Sequence, residues 1–209
     1  MQGECASVTE ESSLPGYWDA LYLQGSTPWE CTTSPSHLSS FIESLPNKAL
    51  RVLIPGCGSA TELHRFIRAG LQVEAIDFSA QAVQRAQHAL GTAASLVRQA
   101  DFFRLVEKEK YDWVYERAFL CALLRKMRQD YATKMASLVR EGGILAGFFY
   151  LTDTVKGPPY GITQAQLTEL LGPFFVLEAC TLVTSTVSLF RGHEYWQVWR
   201  RVNDAKRPV

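Results

Sequence analysis

The sequence predicts an α/β fold: a seven-stranded, mostly parallel, Rossmann-like sheet with helices on both faces and an antiparallel hairpin at its C-terminal end. Two patterns lead to this prediction. From Arg51 onwards, short apolar runs alternate with helical segments, which is typical of parallel strands joined by helices. Near the C-terminus, two β-rich segments follow one another without a helix between them, so we expect them to pair antiparallel.

The elements follow in chain order. LPGYWDALYLQGSTPWE predicts a short helix followed by a turn, and SPSHLSSFIESLP predicts a second helix with Ser34 as N-cap and Pro35 at the first helical position. Five strands are expected in RVLIPG, LQVEAIDF, ASLVRQADFF, YDWVYERAF and GILAGFFYL. Intervening helices are expected in SATELHRFIRAG and SAQAVQRAQHALG, which Gly70 and Gly91 close, and in RQDYATKMASLVREGG. GITQAQLTELLG predicts a last helix, and FFVLEACTLVTSTV and HEYWQVWRRV predict the hairpin.

Length and composition indicate one domain over residues 1–209, with a flexible start at 1–14. The 21 basic and 21 acidic side chains cancel, so nothing favours nucleic acid or an anionic membrane as partner. The polar N-terminus has no apolar signal-peptide core and no apolar run is long enough to span a bilayer, which predicts a cytoplasmic protein. The five scattered cysteines are expected to be reduced, and no metal-ligand spacing is present.

A glycine loop, PGCGS, leaves the first predicted strand. Ligands of open parallel sheets bind beyond the carboxyl ends of the strands, and Gly56 there leaves no Cβ to block a ligand. Asp77 ends the second strand about twenty residues after the loop, where a ribose-binding carboxylate is expected. The third glycine of G-x-G-x-x-G is absent after Gly58. This favours a cofactor with a ribose and no pyrophosphate over a dinucleotide. Because strand, loop, helix, strand and acid occur in order, a tight turn without a ligand is the weaker alternative.

Asp101 and Phe102 end the third predicted strand. The carboxylate can accept the exocyclic amine of an adenine while an aromatic ring covers the base, and Phe78 can pack on the other face. A capping aspartate and a core phenylalanine explain the same residues equally well.

Three aromatic residues precede the first strand. Trp18 and Tyr22 are four residues apart and share one helix face, and Trp29 follows GSTP. They either pack on the core or belong to a helical lid, residues 15–48, over the cofactor. Aromatic faces attract cations, so such a lid suits the sulfonium of S-adenosylmethionine.

Several motifs together resemble the thiopurine S-methyltransferase family. In chain order they are LYLQGSTPWE, IPGCGSATE, AIDFS, ADFF, YDWVYERAFLCAL and KGPPYGIT, and they cover nearly the whole chain from Trp18. The family includes bacterial thiopurine or tellurite methyltransferases and plant thiol/halide methyltransferases. The resemblance implies the seven-stranded methyltransferase fold, S-adenosyl-L-methionine as cofactor with S-adenosyl-L-homocysteine as product, and a small soft methyl acceptor. A thiol, thiopurine, selenide, tellurite or halide is such an acceptor.

The resemblance also implies residue roles. The expected cofactor-binding residues are Trp18, Tyr22, Trp29, Gly56, Asp77, Phe78, Asp101, Phe102 and Arg117. Arg117 ends the fourth strand between cofactor and acceptor and is the candidate catalytic residue, and Tyr160 in the rigid GPPY loop is the candidate substrate-binding residue. Arg117 resembles the thiopurine branch, whereas Gly-Cys-Gly resembles the thiol/halide branch, so the acceptor stays open. A monomer is expected.

Other functions remain as alternatives. A non-catalytic sensor or interaction protein that binds S-adenosylmethionine is compatible with every motif above. A nicotinamide-dependent oxidoreductase would need the third glycine and a sixth parallel strand, which the sequence does not supply. A nucleic-acid methyltransferase is disfavoured by the neutral charge and by the lack of a basic face.

Overall fold

A computed structural model describes residues 11–31 and 36–203. The predicted helix start at Ser34 and Pro35 lies outside these residues, as do the first ten residues of the predicted flexible start. No helix in the two described ranges is long and apolar enough to cross a membrane.

Six α-helices and seven strands are found in the described ranges. The helices are α1 Pro15–Gln24, α2 Ser36–Ser44, α3 Leu63–Arg68, α4 Ala80–Leu90, α5 Arg128–Leu138 and α6 Gln164–Leu171. The strands are β1 Arg51–Pro55, β2 Gln72–Asp77, β3 Val97–Gln99, β4 Tyr111–Arg117, β5 Val139–Tyr150, β6 Phe175–Leu182 and β7 Glu194–Arg201.

One sheet contains all seven strands in the order β3-β2-β1-β4-β5-β7-β6. The first five strands pair in parallel. The terminal hairpin is antiparallel, and its second strand, β7, lies between β5 and β6 and pairs antiparallel with both. The predicted fold class is therefore confirmed. Strand order reverses between β1 and β4, so the loops after these two strands meet at one edge of the sheet.

Apolar side chains of the strands alternate between two cores. Val52 and Ile54 of β1 pack in one core with side chains from α2, α3 and α4. Leu53, between them in sequence, packs in the other core with side chains from α5 and α6. This period of two places helices on both faces of the sheet.

Two element boundaries differ from the prediction. β5 begins at Val139, directly after α5 and before the double glycine, because the strand takes up Gly142 and Gly143 as an irregularity in its pairing with β4. Gly142 has φ 70°, and a Cβ at Gly143 would lie 2.9 Å from the carbonyl oxygen of Asp112. Helix α3 begins only at Leu63, since Ala60 adopts a left-handed φ of 51° that a helix excludes.

Candidate functional site

A cavity of about 370 Å³ lies at the carboxyl ends of β1, β2, β3 and β4, beneath the segment that contains α1. Nine of the ten residues predicted for the site line it: Trp18, Tyr22, Trp29, Gly56, Asp77, Phe78, Asp101, Phe102 and Arg117. The structure thus gathers residues spread over a hundred positions of sequence around one space. Their binding roles stay predictions.

The glycine loop has a conformation that its neighbours require. Gly56 and Gly58 have φ values of 58° and 55°, in the left-handed region. A Cβ at Gly58 would lie 2.5 Å from the hydroxyl of Tyr22, and one at Gly56 would overlap the ring of Phe119. The absence of side chains therefore lets protein groups approach the loop, as well as leaving room for a ligand.

Three backbone N–H groups of the loop donate to other elements. Cys57 N donates to the Ile76 carbonyl at 3.0 Å, Gly58 N to Asp77 Oδ2 at 2.9 Å, and Ser59 N to an oxygen of Glu30 at 3.0 Å. The loop is consequently fixed to β2 on one side and to the segment after α1 on the other.

Asp77 holds two elements together through one carboxylate. Besides Gly58 N it accepts a hydrogen bond from Ser79 N at 2.9 Å, next to the N-terminus of α4. The residue is only 7% exposed, and burial raises the pKa of the carboxyl to about 6 against the hydrogen bonds that lower it. Each carboxylate oxygen has two lone pairs, so both retain acceptor capacity towards the cavity.

The aromatic segment packs on itself and on the loop. Trp18 and Trp29 meet edge-to-face at 5.4 Å, Tyr22 and Trp29 at 6.0 Å, and Trp29 Nε1 donates to the Tyr22 hydroxyl at 3.3 Å. Asp19 of α1 accepts hydrogen bonds from Ser79 Oγ at 2.6 Å and from Gln81 N at 3.0 Å. These bonds attach the segment to the N-terminus of α4, over the cavity.

Asp101 and Phe102 combine both explanations that the sequence left open. Asp101 Oδ1 accepts from Phe103 N at 2.9 Å and caps a short 3-10 turn, and Phe102 is 4% exposed and packs edge-to-face on Phe119 at 5.0 Å. Both residues also line the cavity. A structural role and exposure to a ligand therefore coexist at this position.

Arg117 lies in a cluster of buried charges. Its Nη1 donates to Glu62 Oε1 at 3.1 Å, its Nη2 lies 3.8 Å from Glu194 Oε1, and its guanidinium stacks 4.5 Å above the ring of Phe148. Glu62 also accepts from the Tyr115 hydroxyl at 2.6 Å. The Arg117 side chain is 10% exposed, and its Nη2 has no hydrogen-bond acceptor among the described residues. One buried donor of this guanidinium thus has an ion-pair contact but no hydrogen bond among the described residues.

Glu116, next in sequence, does not pair with Arg117. Its Oε1 accepts from Phe119 N at 2.9 Å and Leu120 N at 3.0 Å, and its Oε2 accepts from the Tyr131 hydroxyl at 2.7 Å. Burial raises the pKa of this carboxyl to about 7. Glu116 therefore fixes the turn after β4, which forms part of the cavity wall.

Tyr160 is the one predicted site residue that does not line the cavity. It is 3% exposed, its hydroxyl lies 3.4 Å from Ser12 Oγ, and Pro158 and Pro159 of the same loop form the wall instead. Arg128 of α5 donates to the Gly161 carbonyl at 2.6 Å and so holds the backbone that follows the two prolines. Tyr160 therefore does not face the cavity as expected, whereas its substrate-binding role stays a prediction.

Three carboxylates and a phenol were missed as site residues. Glu30, Glu62 and Tyr115 line the cavity, and Asp19 anchors α1. Glu30 and Glu62 lie inside the motifs TPWE and GSATE. Their position in these motifs was the only feature of the sequence that could have indicated a role in the site. Their contacts join segments about thirty and fifty-five residues apart, which local patterns do not predict.

Two of the three cysteines that line the cavity have a raised pKa. Burial raises the pKa of Cys57 and of Cys121, both of which line the cavity. Neither supplies a thiolate nucleophile at neutral pH. No group of three metal-ligating side chains with suitable geometry occurs within residues 11–31 and 36–203.

Comparisons with known proteins agree on one family. The sequence model of the thiopurine S-methyltransferase family matches residues 14–202. "Probable thiol methyltransferase 2" of Arabidopsis thaliana is 27% identical, over 93% of this chain and 88% of that protein. A thiopurine S-methyltransferase of Pseudomonas fluorescens is 32% identical, over 61% of this chain and 67% of that protein.

Solved structures share the fold. The 1,6-didemethyltoxoflavin-N1-methyltransferase of Burkholderia thailandensis, solved with S-adenosylhomocysteine, superposes with a TM-score of 0.73 at 18% identity, over 97% of this chain and 94% of that one. The magnesium protoporphyrin IX methyltransferase of Synechocystis gives a TM-score of 0.64 at 16% identity, over 96% and 86%.

Glu116 is expected to make stability depend on pH. Its pKa is about 7 in the folded chain against an ordinary 4.5, so between these values the folded chain holds a proton that the unfolded chain has released. The free energy of unfolding therefore falls as pH rises through this range. Above the folded pKa, the stabilisation that comes from this proton is gone. From pH 6 to 8 the loss should be about 1 kcal/mol in the free energy of unfolding.

Urea unfolding of the wild type and of Glu116→Gln at pH 6, 7 and 8 measures this. The window lies above the pKa of Asp77, about 6, where most of that residue's contribution has already been lost. The free energy of unfolding of Glu116→Gln should depend less on pH than that of the wild type. An equal pH dependence in both proteins would contradict the raised pKa of Glu116.

Proposed function

The chain belongs to the thiopurine S-methyltransferase family, and on that premise we propose that it methylates a small, soft, anionic acceptor at the cavity wall next to Arg117. Its cofactor is S-adenosylmethionine. The observation that carries the choice of acceptor is the guanidinium of Arg117, which lines the cavity and whose buried Nη2 has an ion-pair contact to Glu194 at 3.8 Å but no hydrogen-bond acceptor among the described residues.

The cavity matches the chemistry of this cofactor. Carboxylates at Asp77 and Asp101 offer acceptors for ribose hydroxyls and an exocyclic amine, and Phe78 and Phe102 offer apolar faces for a base. Four carboxylates and one guanidinium line the cavity, an excess of negative charge that suits a cofactor carrying a sulfonium. Trp18 and Trp29 add aromatic faces, which attract a cation.

When bound, S-adenosylmethionine supplies a methyl group activated by positive sulfur. The chain's own part is to position the acceptor and exclude water. The segment around α1 covers the cavity, and Asp19 and Glu30 hold it on α4 and the glycine loop. Alignment of two bound reactants removes most of the entropic barrier to transfer, and loss of water strengthens the interactions of the guanidinium.

No general base is required by this arrangement. The described residues that line the cavity include neither a histidine nor a lysine, and the buried cysteines stay protonated. An acceptor that arrives as an anion, or that loses its proton easily near neutral pH, needs no base from the protein. Arg117 stabilises such an anion by a charge-assisted hydrogen bond.

The cavity wall also includes several apolar side chains. Cys121, Pro158, Pro159, Leu189 and Phe190 contribute to it. An aromatic or heterocyclic thiolate suits both features, because it presents an apolar ring to these side chains and an anionic sulfur to the guanidinium.

An acceptor panel tests the proposal. The purified protein is supplied with S-adenosylmethionine and an aromatic thiol, an alkyl thiol, iodide, thiocyanate or tellurite, and S-adenosylhomocysteine release is followed. Aromatic thiols should give the highest kcat/KM. Preference for iodide or thiocyanate would overturn the acceptor class, and binding of cofactor without turnover of any acceptor would favour a non-catalytic sensor.

Asp77→Ala should weaken S-adenosylhomocysteine binding about 100-fold or more, because it removes charge-assisted acceptors for the ribose and releases Gly58 N. Isothermal titration calorimetry measures the affinity. Glu169→Ala, which removes an exposed carboxylate on α6, serves as the matched control. Unchanged binding in Asp77→Ala would refute the site assignment.

Arg117→Ala should lower kcat/KM for an anionic acceptor about 100-fold while cofactor affinity changes far less. Arg117→Lys keeps the charge but loses the planar, two-donor geometry of the guanidinium. Its kcat/KM should lie between those of the wild type and Arg117→Ala. Arg117→Ala leaves Glu62 and Glu194 without their cationic partner. The melting temperatures of both variants measure whether that loss destabilises the fold. Equal loss of transfer and of cofactor binding would reassign Arg117 to the cofactor.

A further inference from the structure

Glu194 is a buried carboxylate that faces the guanidinium of Arg117. It is the first residue of β7, where it pairs in register with Tyr150 of β5 and its carbonyl accepts from Val183 N at 2.8 Å. The residue is 2% exposed, and its Oε1 lies 3.8 Å from Arg117 Nη2. Arg117 lines the cavity and Glu194 does not. Glu194 therefore places a negative charge next to the cavity without forming part of its wall.

Glu62 and Glu194 act on Arg117 in different ways. Glu62 accepts a hydrogen bond from Nη1 at 3.1 Å, and Phe148 stacks on the guanidinium at 4.5 Å. These two contacts fix the orientation of the Arg117 side chain. The contact between Glu194 and Nη2 is an ion pair without a hydrogen bond. What Glu194 adds is therefore charge, which lowers the positive potential that the guanidinium presents to the cavity.

The potential at Arg117 matters because methyl transfer from a sulfonium to an anion removes both charges. The bound acceptor carries its full negative charge before transfer and only part of that charge in the transition state. A strongly cationic site therefore stabilises the bound anion more than the transition state, which tightens acceptor binding and slows transfer. A guanidinium that is partly neutralised by a carboxylate reduces this effect and can still orient the acceptor by a hydrogen bond.

We propose that Glu194 keeps the bound acceptor reactive by offsetting part of the positive charge of Arg117. The proposal rests on the proposed function for the cofactor and for the anionic acceptor. Glu194 acts through Arg117 and not by contact with the acceptor. Removal of its charge should consequently strengthen acceptor binding and slow the transfer step, two effects that a loss of structure does not produce together.

Single-turnover kinetics of Glu194→Gln with benzenethiolate and S-adenosylmethionine test the proposal. Burial raises the pKa of Glu194 and the charge of Arg117 lowers it, so measurement at pH 8 favours the carboxylate in the wild type. The variant should bind benzenethiolate about 10-fold more tightly, because a negative charge near the anion is gone. Its transfer rate constant at saturating acceptor should fall several-fold. The ratio of rate constant to dissociation constant should change less than either constant.

Two variants and a neutral ligand serve as controls. Glu194→Asp keeps the negative charge, so its constants should stay closer to those of the wild type than the constants of Glu194→Gln. Glu178→Gln removes an exposed carboxylate that pairs with Arg200 on the terminal hairpin, and both constants should stay unchanged. Thioanisole, the neutral product of transfer to benzenethiolate, should bind Glu194→Gln as it binds the wild type, because it carries no charge.

Three outcomes would overturn the proposal. Weaker binding of benzenethiolate in Glu194→Gln would mean that Glu194 is needed to hold Arg117 in place. Equal tightening of benzenethiolate and thioanisole would indicate a change in space and not in charge. Unchanged constants would show that the charge of Glu194 does not reach the acceptor. Lack of transfer by the wild type refutes the proposed function, whereas these three outcomes with an active wild type refute only the role of Glu194.

Discussion

The carboxylate of Asp77 is the interaction on which the site depends. Through Gly58 N it fixes the glycine loop, and through Ser79 N it fixes the chain entering α4. Ser79 in turn donates to Asp19, which attaches α1 over the cavity. One buried acid thus sets the floor of the site and, indirectly, its cover. Burial makes ionisation of this group costly, which is why its pKa rises to about 6. Hydrogen bonds from the loop and from ligand hydroxyls offset that cost.

A second group of charges organises the opposite end. Arg117 lies between Glu62 and Glu194, and burial raises the pKa of Glu194 although the nearby guanidinium lowers it. Phe148 supports the guanidinium from one face. A cation held in this way keeps its orientation before any ligand arrives, so little reorganisation is needed during transfer. In the proposed function, cofactor and acceptor meet between these two charge clusters.

The fold and most of the cavity were predictable because local patterns encode them. Alternating strands and helices predicted the sheet, and strand ends predicted Gly56, Asp77, Asp101 and Arg117 at one edge. Contacts between distant segments were not encoded locally. Tyr160 was expected at the cavity wall, but Pro158 and Pro159 of its loop form the wall instead, and Arg128 on α5 binds the loop at the Gly161 carbonyl. Glu62 was visible only as a letter in a motif, since its importance comes from Tyr115 and Arg117 fifty-odd residues later.

The central claim is that this cavity holds the cofactor with its adenosine at Asp77 and its sulfur near Arg117. A crystal structure of the protein with S-adenosylhomocysteine tests it most directly. The account predicts ribose hydroxyls on the Asp77 carboxylate, the adenine between Phe78 and Phe102, and the sulfur on the side of Arg117. A ligand bound in the reverse direction, or outside the residues that line the cavity, would contradict it.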